Sequence, residues 1–328
     1  MDVCISHKED PDGLVSAALI KRLYRTEVIL ADYSDMIKRI EDVSNYDDLE
    51  HLFICDLGLS KANEARFIEL LENIAERVKV TYIDHHYLDD TSKDRLTSSG
   101  VELIHTIDEC TSIIIYSNLM CGNNNYNGYY AILAGLAAIT DELSSKKIAS
   151  SIVNRYDRHF LEFEATMLAY AIYNNQHNDE YLSFLVDELS EGKMPHAIDY
   201  VLEYAKAYVD KVTKCISIIS KDAKRIGENI VYIQAEDLPA STISNMLLAM
   251  YGNDVRVTIA YKQRGDKTVV SIRGTNSCRL HLGRIVNDIA TSMGGSGGGH
   301  DRACGAMIPK GSVEEFIDKI NNMIDNQS

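Results

Sequence analysis

The chain has no tryptophan, no C-x-x-C pair among its seven cysteines and no basic excess. Each absence closes off a class of function. Lys and Arg number 33 against 49 Asp and Glu, a formal net charge of −16, whereas a protein that grips long nucleic acid through its phosphates carries a basic surplus. Binding of long duplex nucleic acid is therefore not expected, and phosphate can be held only where metal ions or a few placed arginines reverse the local field. The cysteines, at 4, 55, 110, 121, 215, 278 and 304, are odd in number and scattered. That argues against structural zinc and against a disulfide framework, and it fits a reducing cytosol. The longest apolar run, AILAGLAAIT at 131–140, is about half of the roughly 20 residues that a bilayer requires. The start, MDVCISHKED, is charged from its second residue, unlike a signal peptide. A cytoplasmic protein without membrane contact is the expectation. With tryptophan missing, tyrosine (19 residues) is the ordinary aromatic, so the tyrosines between 126 and 208 read as packing residues ahead of a base-stacking platform.

At 328 residues, 45 % of them hydrophobic, the chain is long enough for two domains with a core each. The first half alternates short β-branched strands with amphipathic helices. DVCIS (2–6), VILADY (28–33), LFICDLG (52–58) and VTYID (80–84) read as strands; 13–25, 62–78, 110–121 and the apolar 129–142 read as helices. This alternation predicts an α/β fold, a mostly parallel sheet with helices on both faces. Residues 150–212 read as helical, and HAIDYVLEYAKAYVDKVTK (196–214), after Pro195, as a connector. A smaller α/β domain follows. CISIIS (215–220) and NIVYIQA (229–235) are expected as strands, ASTISN (240–245) as helix-capping chemistry, and 255–263 with 267–274 as a hairpin around RGD. A helix over 280–293, a glycine-rich loop over 294–305, a strand CGAMIP (304–309) and a final helix complete it. The predicted division is 1–190, a connector over 191–214, and 215–328.

The chemistry lies where apolar runs end. SHKEDPDG supplies His7, Asp10 and Asp12; CDLG supplies Asp56; IDHH supplies Asp84, His85 and His86; AITDE supplies Asp141. At the carboxyl edge of a parallel sheet such residues face the place where ligand crevices form. Taken singly, each acid reads as a helix cap or turn former. Brought together, carboxylates repel and cannot all stay ionised without a cation. Mixed oxygen and imidazole donors suit Mn²⁺ first, with Mg²⁺ or Co²⁺ as alternatives, better than a thiolate zinc site. Thr111 and Ser112 open a helix, where capping and phosphate contact explain them equally well.

The ordered set H-x-x-D-x-D-G, D, DHH and a late D resembles the DHH phosphoesterase superfamily. GGSGGGHDRACG (294–305) resembles the G-G-G-H-x-x-A-x-G signature of the DHH-associated domain. The resemblance covers nearly the whole chain. It implies a DHH domain and an associated domain with the active site in the cleft between them, and two divalent metal ions in the first. His7 and Asp10 would bind one metal, Asp12, His85 and Asp141 the other, and Asp56 both. His86 would face the scissile phosphate, and Asp84 would orient a ligand histidine, so that Asp56, Asp84 and His86 form the catalytic set. Metals about 3.5–4 Å apart would activate water for in-line attack. His7 stands three residues before Asp10, where relatives place it two or four before, and Glu9 could substitute or assist. Arg273, Gly298, Gly299 and His300 would hold the substrate nucleotide, through close backbone approach to an anion and a bidentate arginine. The implied activity is hydrolysis of short oligoribonucleotides to mononucleotides, with removal of the 3′-phosphate from adenosine 3′,5′-bisphosphate as a companion. Short single-stranded RNA or a nucleotide is the implied partner, and a homodimer is compatible with it. The alternatives are a RecJ-type single-strand exonuclease, a cyclic-dinucleotide phosphodiesterase and a non-catalytic nucleotide-binding protein.

Overall fold

The computed structural model describes residues 1–60, 63–122 and 128–326, which divide into two compact units, Met1–Tyr208 and Val209–Ser328. Ala62, the first residue of one expected helix, and Tyr126 lie outside the described residues. In the first unit, β1 (Asp2–His7), α1 (Pro11–Tyr24), β2 (Glu27–Ala31), α2 (Met36–Ser44) and β3 (His51–Cys55) are followed by α3 (Glu64–Ala75), β4 (Lys79–Asp84), α4 (Asp90–Ser98) and β5 (Glu102–His105). All five strands are parallel, in the order β2-β1-β3-β4-β5. Strand alternation divides the core in two. Val3, Ile5, Leu52, Ile54, Val80 and Tyr82 pack with α2, α3 and α4 on one face. Cys4, Phe53, Cys55 and Ile83 pack on the other, against α1 and the helices that follow.

Those helices are α5 (Thr111–Ile115), which continues as a π-helical turn over Tyr116–Met120, α6 (Gly128–Thr140), α7 (Lys147–Val153), α8 (Arg158–Asn174) and α9 (Asp179–Ser190). The expected connector helix differs at both ends. Pro195–Ala197 form a 3₁₀ turn, Tyr200 takes a left-handed backbone (φ 67), and α10 runs over Val201–Asp222. The CISIIS strand is therefore corrected to helix. Cys215 and Ile219, four residues apart, are both buried while Ile216 is exposed, which is helical periodicity. The division between the units falls within α10.

The second unit holds β6 (Lys224–Ile226), β7 (Ile230–Gln234), α11 (Ala240–Tyr251), β8 (Val257–Arg264), β9 (Lys267–Gly274), α12 (Leu282–Ser292), β10 (Ser296–Gly299), β11 (Ala303–Pro309) and α13 (Val313–Asp325). Its six-stranded sheet runs β10-β11-β9-β8-β7-β6 and is antiparallel except between β7 and β8. Val257, Ile259, Val270 and Ile272 meet α12 and α13 in the core. ASTISN lies within α11 and does not cap it: Pro239 is the N-cap, without a side-chain bond. Ser244 instead lies against the sheet, with its Oγ 3.0 Å from Ser271 Oγ.

His51, at the start of β3, illustrates a cross-strand network that pattern alone does not show. The Thr81 hydroxyl donates to Glu102 Oε2 at 3.0 Å and so accepts from His51 Nε2 at 2.8 Å. Burial, then the Lys79 charge, push the His51 pKa down to about 4. Below its ordinary value near 6.5 the unfolded chain takes up a proton that the folded chain refuses, so this contribution to stability is lost as pH falls from 6.5 toward 4. His51→Gln is expected to become relatively more stable than the parent by on the order of 2 kcal/mol between pH 7 and pH 5. Parallel denaturant midpoints for the two proteins across that range would refute it.

Candidate metal centre

Strand order reverses between β1 and β3, which makes the carboxyl ends of these strands the switch point of the sheet. The chain leaves β1 at His7, β3 just before Asp56 and β4 at Asp84. Asp56 has a left-handed backbone (φ 57), a conformation that aspartate tolerates better than most residues. This turn aims the two carboxylate oxygens in different directions. Oδ2 lies 3.7 Å from His7 Nδ1, and Oδ1 lies 3.5 Å from His85 Nε2.

Two donor groups result. In one, His7 Nδ1 is 2.9 Å from Asp10 Oδ2, and Glu9 Oε2 is 3.8 Å from His7 Nε2. In the other, His85 Nε2 is 3.5 Å from Asp141 Oδ2 and 4.0 Å from Asp12 Oδ2. The ligand atoms of His7, Asp10 and Asp56 lie within 4.8 Å of one another, as do those of Asp12, His85 and Asp141, and those of Asp56, His85 and His86. The acids arrive from different elements. Asp10 caps α1, accepting from Gly13 N at 3.0 Å; Asp12 sits in its first turn; Asp141 follows the last residue of α6.

Asp84 holds His86. Its Oδ1 is 2.9 Å from His86 Nδ1, and its Oδ2 accepts from the Tyr82 hydroxyl at 3.0 Å. Asp84 thus orients the second histidine of the pair, and His85 is the one that faces Asp12, Asp56 and Asp141. His105 Nε2 donates to the His86 carbonyl at 2.6 Å. Gly58 packs against the ring: a Cβ at this position would lie 2.5 Å from His86 Cγ.

The electrostatics follow from crowding. Burial raises the Asp12 pKa well above its ordinary value, and the neighbouring Asp56 and Asp141 carboxylates add to the rise. Burial likewise pushes Asp141 up to about 6, against the pull of His85. For Asp56, burial is outweighed by the nearby His7 and His85 imidazoles, and its pKa falls. The histidines respond in the opposite sense. Burial would lower His85, but Asp56 first and then Asp12 raise it to about 9; burial would lower His86, but Asp84 raises it. The group is short of positive charge. In addition, both ring nitrogens of buried His7, and Asp141 Oδ2, lack a hydrogen-bond partner among the described residues, and the 2.9 Å approach of His7 to Asp10 is not aligned as a hydrogen bond. Unpartnered donor atoms among crowded carboxylates fit a divalent cation.

Asp12 and Asp56 are also held from behind. Thr111 N and Ser112 N, at the start of α5, donate to Asp12 Oδ2 and Oδ1 at 2.8 and 2.9 Å, and Ser112 Oγ donates to Oδ1 at 2.6 Å. Thr111 Oγ1 donates to Asp56 Oδ1 at 3.1 Å. The helix start read as capping or phosphate contact thus orients two acids of the centre. Tyr33 is a residue that the sequence reading misses. It follows β2 at the same sheet edge, a position the pattern of the other strand ends could have flagged, and its hydroxyl is 3.4 Å from His86 Nε2.

In the second unit, the glycine segment expected as an open loop is corrected in part. Ser296–Gly299 form β10, with Gly298 opposite Gly305 and Gly299 opposite Cys304. Glycine is required where α12 starts, since a Cβ on Gly283 would come 2.1 Å from the Gly299 carbonyl oxygen. His300 N donates to Ala303 O at 2.8 Å and its side chain is exposed. Arg273 stands opposite Ala303, so it shares one corner of the sheet with Gly298, Gly299 and His300. Its Nε donates to Asn245 Oδ1 at 2.7 Å, which spreads the guanidinium over α11.

A doubly covered parallel sheet with two acid–histidine groups sharing one aspartate at its switch point defines a candidate two-cation hydrolytic centre. Residues 2–143 match the model of the DHH family, N-terminal domain, and residues 227–326 that of the DHHA1 domain. The chain belongs to the DHH phosphoesterase superfamily, with a C-terminal DHHA1 domain. It is 25 % identical over 202 residues to the uncharacterized protein MJ0831 of Methanocaldococcus jannaschii, a match that takes in 57 % of this chain and 44 % of the relative. The chain thus spans less than half the length of that curated relative. Among solved structures it resembles the pGpG-specific phosphodiesterase PggH from Vibrio cholerae, with TM-score 0.61, 14 % identity and 100 % of each chain covered. It also resembles RecJ from Thermus thermophilus in complex with Mn²⁺, with TM-score 0.65 and 16 % identity over 99 % of this chain and 52 % of that one. Identities this low establish the fold.

Proposed function

We propose that the chain is a metal-dependent phosphodiesterase that hydrolyses short oligoribonucleotides, dinucleotides above all, to mononucleotides. Residues 1–190 would carry the chemistry, 191–214 connect, and 215–328 hold the nucleotide. The observation that carries this reading is the pair of donor groups sharing Asp56 beside an oriented His86. Divalent ions, Mn²⁺ or Mg²⁺, would be held by His7, Asp10 and Asp56 and by Asp12, Asp56, His85 and Asp141, and when bound would supply water activation and charge neutralisation. The protein residues do the rest. Thr111 and Ser112 fix the carboxylates, Asp84 orients His86 through Nδ1, and the imidazole presents Nε2 to a phosphate oxygen. Arg273, Gly298, Gly299 and His300 would take the nucleotide, and adenosine 3′,5′-bisphosphate would be a second substrate of the same centre.

Likeness to PggH over the full length of both chains supports a dinucleotide. The acidic balance of −16 argues in the same direction. None of the described helices is long and apolar enough to cross a membrane, and a cytoplasmic location is part of the proposal. With 5′-labelled RNA from two to about twenty-four nucleotides, the dinucleotide should disappear fastest, and chelator should stop it. Shortening of the longest strands at an equal or greater rate would replace this reading with a general exonuclease.

A further inference from the structure

Two cavities flank the Tyr87 ring at the carboxyl edge of the first sheet. One, of about 380 Å³, is lined by Asp89, Asp90 and Lys93 with His105 and Ile107. Its two carboxylates disfavour a ligand that carries phosphate. The other, of about 400 Å³, is lined by Tyr33, Gly58, Leu59, Asn63, His86 and Tyr87. Ser60 completes it, and no acid lines it among the described residues. In a chain of net charge −16, an acid-free aromatic cavity that touches His86 is a distinctive place.

Its walls are aromatic and one of them is rigid. Tyr87 is 79 % exposed and Tyr33 45 %, whereas Tyr170, Tyr173 and Tyr208 pack against one another, with the Tyr170 and Tyr208 centroids 4.8 Å apart. The Tyr33 ring is held at a 5.0 Å centroid distance from His7 and by its hydroxyl at His86 Nε2. Its loop is closed by hydrogen bonds: Asp32 N donates to Asp35 Oδ1 at 2.9 Å, and Ser34 N to Asp32 Oδ1 at 2.7 Å. The Asn63 side-chain amide donates, among the described residues, to Met36 sulfur at 4.0 Å, a long contact that keeps donor capacity for a ligand.

We infer that this cavity is a nucleobase subsite: the base next to the scissile phosphate packs against Tyr87 and Tyr33 while the phosphate lies at His86, with Asn63 and Ser60 available to the base edge. A volume near the lower end of ordinary small-molecule sites, about 300–1,000 Å³, admits one nucleoside and excludes a duplex. Exposed ring faces bind bases of any identity by stacking, so the subsite favours nucleotides over other phosphodiesters without selecting a sequence. The inference rests on the phosphodiesterase reading and adds the residues that recognise the base.

The test is stopped-flow fluorescence of a 2-aminopurine dinucleotide mixed with the full chain in Mg²⁺, since stacking quenches this base. Wild type and Tyr87→Phe should quench it. Tyr87→Ala, at an exposed position where truncation leaves the core intact, should weaken the apparent affinity and raise KM by about tenfold, at the lower end of the losses seen for base–aromatic contacts. Tyr33→Phe should keep the quench, because the ring remains. Equal quenching by wild type, Tyr87→Ala and Tyr33→Ala would overturn the subsite. Hydrolysis of dinucleotides by a wild type that does not quench would overturn it too, and would leave the phosphodiesterase reading standing. Neither quenching nor hydrolysis by the wild type would overturn both.

Discussion

Replacing Asp56 with Asn should lower kcat/KM on a dinucleotide by on the order of a thousandfold or more. The two oxygens of this carboxylate serve two different histidines, at 3.7 and 3.5 Å, and two different donor groups. An amide offers one oxygen and no charge, so each group loses the anionic oxygen that Asp56 gives it. Asn is the informative replacement because it tolerates the left-handed backbone (φ 57) found here. Asp56→Ala should lose the same activity and in addition destabilise the fold by about 1 kcal/mol through backbone strain. Steady-state kinetics would be paired with thermal melts with and without Mn²⁺, in which the parent gains stability on binding and Asp56→Asn gains much less. Parental turnover by Asp56→Asn would eliminate the shared-aspartate centre.

Adding a single methyl group should also lower activity, by a smaller factor. Gly58→Ala places a Cβ 2.5 Å from His86 Cγ, with Cβ and Cδ2 of the same side chain at 2.8 and 2.9 Å. The imidazole is pinned on its other side by Asp84 and through its backbone carbonyl by His105. It can yield only by leaving the Asp84 carboxylate. A displacement of this kind, near 1 Å at a reacting group, costs about a hundredfold in kcat. The three atoms nearest to the added Cβ all belong to His86, so the Mn²⁺-induced rise in melting temperature should persist, which separates misplacement of His86 from loss of the metals or of the fold. An unchanged kcat would mean that His86 takes no part in the chemistry, or that the β3–α3 loop yields instead.

The elements that carry the centre were legible in the sequence for a physical reason. Strands buried on both faces read as continuous apolar runs, and each run stops at a titratable residue at the carboxyl edge of the sheet: His7, Asp56, Asp84. The β-α alternation likewise settled the first sheet as parallel, because parallel neighbours need a crossover between them. Patterning failed where two structures share a pattern. CISIIS is β-branched and alternates loosely, yet Cys215 and Ile219 lie one helical turn apart and both are buried, so packing along α10 prevailed over strand propensity. The glycines of 296–299 have no side chains to display a period, and only pairing with β11 makes them a strand.

What the sequence determined by itself was the inventory: a two-part α/β chain with a set of acids and histidines at strand ends and a glycine–histidine segment near its end. Tertiary structure alone decided the pairings. Thr111 and Ser112 hold Asp12, an aspartate far earlier in the chain. Asp84 serves His86 while His85 turns to Asp12, Asp56 and Asp141, and Tyr33 reaches His86. All of these depend on sheet register and on which helix start abuts which strand end. Apart from the Asp84–His86 pair, they are through-space relations between residues far apart along the chain. Local periodicity, which extends over only a few residues, carries no information about them.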